Sequence, residues 1–175
     1  VARTPIYNLL NLKNYTMIII PAFHAANKSN AKGKARVFIN SRVDGISDGT
    51  FTVKVSAGFD PATDDYPAGT VLIDVRLSDS TKGVYKSTGI ELMTSYGKHN
   101  PTTYITGRCK ISTQSNTPPK GLRFWLMLAD NKSENGTRGT PDVMAFAIHD
   151  AKGNRIAYGA GPVKEGGILI DPSGI

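Results

Sequence analysis

The chain has 175 residues, 39% hydrophobic and 20% charged, which suits one domain with a buried core and excludes bulk disorder. Its single cysteine, Cys109, excludes an intrachain disulfide and a cysteine-rich metal site. The formal charge of +7 is uneven: seven basic and no acidic residues precede Asp44, leaving 14 of the 21 basic residues to face all 14 acidic ones.

In chain order, "IYNLLNLKNY" is the one helix candidate, with Ile6, Leu9 and Leu10 at helical spacing. "YTMIIIPAF" follows, an apolar strand-like segment over residues 15–23, and then "HAANKSNAKGKA", which lacks any large apolar residue and reads as a basic linker. Residues 1–35 are therefore expected to form an arm and linker, and residues 36–175 a β domain.

Within that domain short period-2 blocks alternate with Gly, Pro, Asn and Asp clusters. "ARVFINSRV" is the first. "GTFTVKVSAGF" places Phe51, Val53 and Val55 on one face, and "TVLIDVRLSD" does the same for Val71, Ile73, Val75 and Leu77. "STGIELMTSYG" and "TTYITGRCKIST" are joined by the turn signal "KHNP" as a hairpin. "GLRFWLMLAD" is apolar on both faces, which predicts a central strand with Phe124 and Trp125 both in the core. "PDVMAFAIHD", the turn "AKGN", "RIAYGAG" and "GGILID" complete the chain. About nine or ten strands at this spacing predict an all-β fold, an antiparallel, jelly-roll-like β-sandwich carrying an N-terminal apolar strand on a flexible basic linker.

From Gly49 onward the order "GTFTV", "PAGTVLIDV", "GLRFWLMLAD", a Gly/Asn/Ser-rich loop, "PDVMAFAIHDAKGNRIAY" and "EGGILI" resembles the post-COAP β-sandwich domains of secreted prokaryotic surface proteins. Asp130, Asp142, Phe146, Ile148, Asp150, Gly153, Tyr158, Gly166 and Gly167 stand at the matching places, whereas Met144 and Ala145 depart from the pattern and residues 1–42 have no counterpart. The resemblance implies an extracellular adhesive or structural role and no catalysis.

Nothing in the residues asks for an enzyme. His24, His99 and His149 lack metal-ligand spacing, and Cys109 has no histidine at motif spacing, so a buried inert thiol is expected although Arg108 and Lys110 flank it. No cofactor is expected; the metal alternative is Ca²⁺ held by loop carboxylates at Asp60, Asp64 and Asp65, or around Asp130, Glu134 and Asp142, without an EF-hand spacing. Sequons at Asn14, Asn27, Asn131 and Asn135 offer glycosylation sites, although a chain rich in Asn, Ser and Thr produces sequons by chance.

No run reaches the roughly 20 apolar residues of a membrane-spanning helix. A chain opening on Val1, with "IYNLL" too short and polar for a signal sequence, is expected outside the cell or on its surface, its signal already removed. The leading functional expectation is a non-enzymatic structural subunit that associates with itself. Met17, Ile18, Ile19, Ile20 and Phe23 would complete a neighbour's sheet and build a filament by donor-strand complementation. The same strand could instead pair within its own chain. The alternatives are a viral jelly-roll capsid protein whose basic arm meets nucleic acid, and a carbohydrate-binding or adhesive module.

Overall fold

The computed structural model describes residues 29–39, 48–59, 66–79, 81–97, 99–112, 118–131 and 139–171. Among these are eight strands: β1 (Asn30–Ile39), β2 (Gly49–Phe59), β3 (Pro67–Leu77), β4 (Lys82–Tyr96), β5 (Thr102–Ser112), β6 (Leu122–Ala129), β7 (Val143–His149) and β8 (Arg155–Asp171). The helix candidate and the donor-strand residues Met17, Ile18, Ile19, Ile20 and Phe23 lie outside the described residues.

The all-β, antiparallel expectation holds, but the sandwich and jelly roll do not. The strands pair in chain order and β8 pairs back with β1, so the sheet closes into a single barrel. A jelly roll needs strands that cross between two sheets, and here, the β8–β1 closure apart, each strand neighbours only those next to it in sequence. Alternation of apolar and polar residues is common to sandwich and barrel walls, which is why the sequence pattern does not separate them. The strand number also falls, because "RIAYGAG" and "GGILID" are the two ends of one 17-residue strand, β8.

That strand changes partners midway: Arg155–Pro162 pair with β7, and Val163–Asp171 pair with β1. Gly166, at φ +80°, lies in the closing pair, and a Cβ there would strike the carbonyl oxygen of Lys34. Only glycine tolerates both the conformation and the approach. Further irregularities between Ser87 and Gly89, Ile90 and Leu92, and Ile148 and His149 add the local bends that curve a sheet into a barrel.

Residues 30–35, read from composition as linker, form the first half of β1. Ala31 and Ala35 point inward and are buried, while Lys32 and Lys34 point out. Phe51, Val53, Val55, Val71, Ile73, Val75, Leu122, Phe124, Leu126, Leu128, Met144, Phe146 and Ile148 fill the interior, as eight strands require. Phe51 and Phe146 meet there with ring centroids 4.7 Å apart, a tilted aromatic contact. No helix among the described residues is long and apolar enough to cross a membrane.

Pairing is thinnest at two seams. Where β8 leaves β7, buried carboxylates replace the missing strand: Asp142 accepts from the amides of Ile168 (3.1 Å) and Asn131 (3.2 Å), and Asp130 accepts from Ile170 (3.1 Å). On the opposite side β3 and β4 pair over five positions only, Leu72–Arg76 against Lys82–Lys86.

Candidate functional site on the outer wall

The strand "GLRFWLMLAD" was expected to be buried on both faces. In a barrel the second face looks outward, and Trp125 is 56% exposed while its neighbour Phe124 is 1% exposed. Cross-strand register explains why the indole stays uncovered: Trp125 stands between Thr106 on β5 and Ala147 on β7, both too small to reach over it.

The adjoining row carries three arginines and a histidine. Arg108, Arg123, His149 and Arg155 lie opposite one another in succession across β5, β6, β7 and β8. One row further, Lys86 and Lys110 are also directly paired and both exposed. Like charges placed opposite in a ladder oppose folding. Glu91 offsets part of this by bridging the two arginines, accepting from Arg108 Nε at 2.8 Å and from Arg123 at close range. Lys86 and Lys110 have no carboxylate partner among the described residues.

Other rings on this wall are engaged. Tyr96 and Tyr104 stack with centroids 5.7 Å apart, and the Arg155 guanidinium lies 3.8 Å over the Tyr158 ring. Among the described residues no ring or guanidinium covers Trp125. Its face therefore borders an open groove of about 550 Å³ lined with Arg108, Arg123, His149 and the turn Asp150–Gly153.

That turn is rigidly built. The Asp150 carboxylate accepts from the Asn154 side-chain amide (2.9 Å) and from the backbone amides of Asn154 (2.9 Å) and Lys152 (2.8 Å). These bonds, Asn154's first among them, hold its carboxyl below the ordinary carboxylate range. The groove is thus lined by the Arg108 and Arg123 guanidiniums and by the Asp150 carboxylate, which is held by bonds within its own turn.

The residues singled out from sequence fall elsewhere. Asp60, Asp64, Asp65, Asn14, Asn27 and Asn135 lie outside the described residues, as do Glu134 and His24. Asn131 spends its side-chain amide on the Pro141 carbonyl at 2.9 Å. Asp130 and Asp142 serve backbone amides, and no group of three or more metal-ligating side chains occurs among the described residues. Cys109 points inward, away from the outward Arg108 and Lys110, and burial pushes its pKa up to about 11. Sequence reasoning missed the Trp125 site because it assigned the indole to the core; the available signal was the cation before it, Arg123, two positions from Trp125 on an alternating strand.

No family model, curated protein or solved structure matches the chain.

Proposed function

We propose that the protein is a non-catalytic extracellular adhesive module that binds acidic polysaccharide on its outer wall. The observation that carries this reading is the uncovered Trp125 beside the Arg108–Arg123 pair. A sugar ring stacks its apolar face on an indole, and the carboxylate or sulfate it bears pairs with guanidinium in the fork geometry that arginine favours. The arginines are already positioned by Glu91, so little side-chain freedom is lost on binding. A single free aromatic face favours sugar over single-stranded nucleic acid, which uses a succession of stacking faces along its path.

The interior does not support a ligand lumen in this reading, since apolar side chains occupy the inward positions. Retention on an immobilised uronic-acid or sulfated polysaccharide, released by salt and absent on a neutral glucan, is the expected result. Equal retention on the neutral polymer, or none on either, contradicts it.

A further inference from the structure

One outward row of the barrel carries more positive charge than folding favours. Lys34 on β1 stands opposite Lys54 on β2, Lys54 opposite Leu72 on β3, Leu72 opposite Lys86 on β4, and Lys86 opposite Lys110 on β5. The row thus crosses five neighbouring strands of the eight, with four exposed lysines and the half-buried Leu72 at its centre. Two of its pairings set like charges directly against each other, which opposes sheet formation. No carboxylate among the described residues offsets them.

Shape narrows the ligand that offsets them. Four inter-strand steps of about 4.8 Å put roughly 19 Å of wall between Lys34 and Lys110, and because the sheet is closed this path curves around the barrel. A nucleic-acid duplex, stiff over this length, touches only part of such a path, whereas a flexible single chain follows it. Single-stranded nucleic acid draws much of its affinity from stacking on aromatic side chains, and the row contains none. An acidic polysaccharide needs only the charges. The row also leads to the groove: Lys110 stands two positions from Arg108 on the same face of β5, a rise of about 7 Å, and Arg108 lines the groove with Trp125.

We infer that the lysine row is a second subsite, continuous with the Trp125 groove, which takes the flanking sugars of one long acidic polysaccharide; the inference rests on the polysaccharide reading of that groove. The ligand is then a polymer charged at many successive sugars rather than a short oligosaccharide. Once the groove holds the chain, its contact with the lysines is intramolecular, and affinity rises with chain length.

The test compares a sulfated tetrasaccharide with dextran sulfate, a long sulfated chain, by titration calorimetry on the full-length protein. Replacing the three lysines farthest from the groove (Lys34→Gln, Lys54→Gln, Lys86→Gln) should weaken dextran sulfate binding at least about tenfold and flatten its salt dependence, because fewer counterions are released. Tetrasaccharide binding, at the groove, should change less than about twofold. Dextran sulfate binding that keeps its affinity and salt dependence in this variant overturns the inference, and tetrasaccharide binding alongside it leaves the groove standing. A parent that binds dextran sulfate through the lysines but ignores the tetrasaccharide contradicts the groove reading instead and supports the row as the site. Lys82→Gln with Lys164→Gln removes, off the row, the same charge as Lys54→Gln with Lys86→Gln, and should cost less than about twofold; equal losses from the two pairs overturn the inference. So does single-stranded oligothymidylate that binds through the same lysines more tightly than dextran sulfate, which would make the row a nucleic-acid track.

Discussion

The outer wall of β1–β3 and that of β5–β8 are built on the same alternation and serve different ends. On the first, each arginine has its own partner: Arg36 pairs with Glu165 at 3.1 Å and Thr52 at 3.2 Å, and Arg76 with Asp74 at 3.4 Å. On the second, Arg108 and Arg123 share one carboxylate, Glu91, and the neighbouring lysines have none among the described residues. Exposed pairs of either kind add little to stability. Lysines without a carboxylate partner among the described residues stand on both walls, Lys34 opposite Lys54 on the first as Lys86 opposite Lys110 on the second; what sets the second apart is a pair of arginines sharing one carboxylate beside a bare indole.

The sharpest break in the comparison falls between adjacent residues of β6. Phe124→Ala should cost about 3–5 kcal/mol of stability through lost burial and a residual cavity, measured by denaturant unfolding. Trp125→Ala should stay within about 0.5 kcal/mol of the parent yet abolish polysaccharide retention. Next comes the stapled seam. Asp142→Ala leaves the amides of Ile168 and Asn131 without acceptors and should cost about 2–4 kcal/mol, with Asp142→Asn in between, again by denaturant unfolding.

A smaller effect separates the two walls directly. Arg108→Ala and Arg123→Ala should each weaken polyanion binding about tenfold, roughly 1.4 kcal/mol, by titration calorimetry. Arg36→Ala and Arg76→Ala should change it less than about twofold, because those charges are already matched. Equal losses on both walls would mean that binding follows net charge alone.

A further effect is inside the barrel and depends on pH. The folded pKa of Cys109 lies above that of the unfolded thiol, so between about 9 and about 11 the unfolded state loses its proton first. Stability from this group is fully present below that window and lost as pH rises through it. Tyr85, raised by burial and then by Cys109, acts in the same direction at higher pH. Melting followed from pH 8 to pH 11 should show the fall, and Cys109→Ala should flatten its lower part, while the folded parent should resist thiol reagents at neutral pH.

Strand identity was legible in the sequence wherever large β-branched or aromatic residues alternated with polar ones, as in Phe51–Val55 and Val71–Leu77, all of whose alternate residues are buried. The β4–β5 hairpin and the Asp150–Asn154 turn were legible from their turn residues. Closure was not, since it depends on β8 passing from β7 to β1, and "RIAYGAG" and "GGILID" read as two separate strands. The start of β1 was hidden because its inward residues, Ala31 and Ala35, are small enough to mimic a linker. Trp125 was misplaced for the opposite reason: an unbroken apolar run erases the alternation that marks the outer face.

The account turns on one indole, and Trp125 is the only tryptophan in the chain, so its fluorescence reports on the site alone. Titration with a uronic-acid or sulfated oligosaccharide should shift and quench-protect the emission saturably, with protection weakening as salt rises. A neutral oligosaccharide should have a much smaller effect. Emission unchanged by the acidic oligosaccharide while the protein is retained on the corresponding polymer would place binding elsewhere and contradict the assignment of the outer wall as the site.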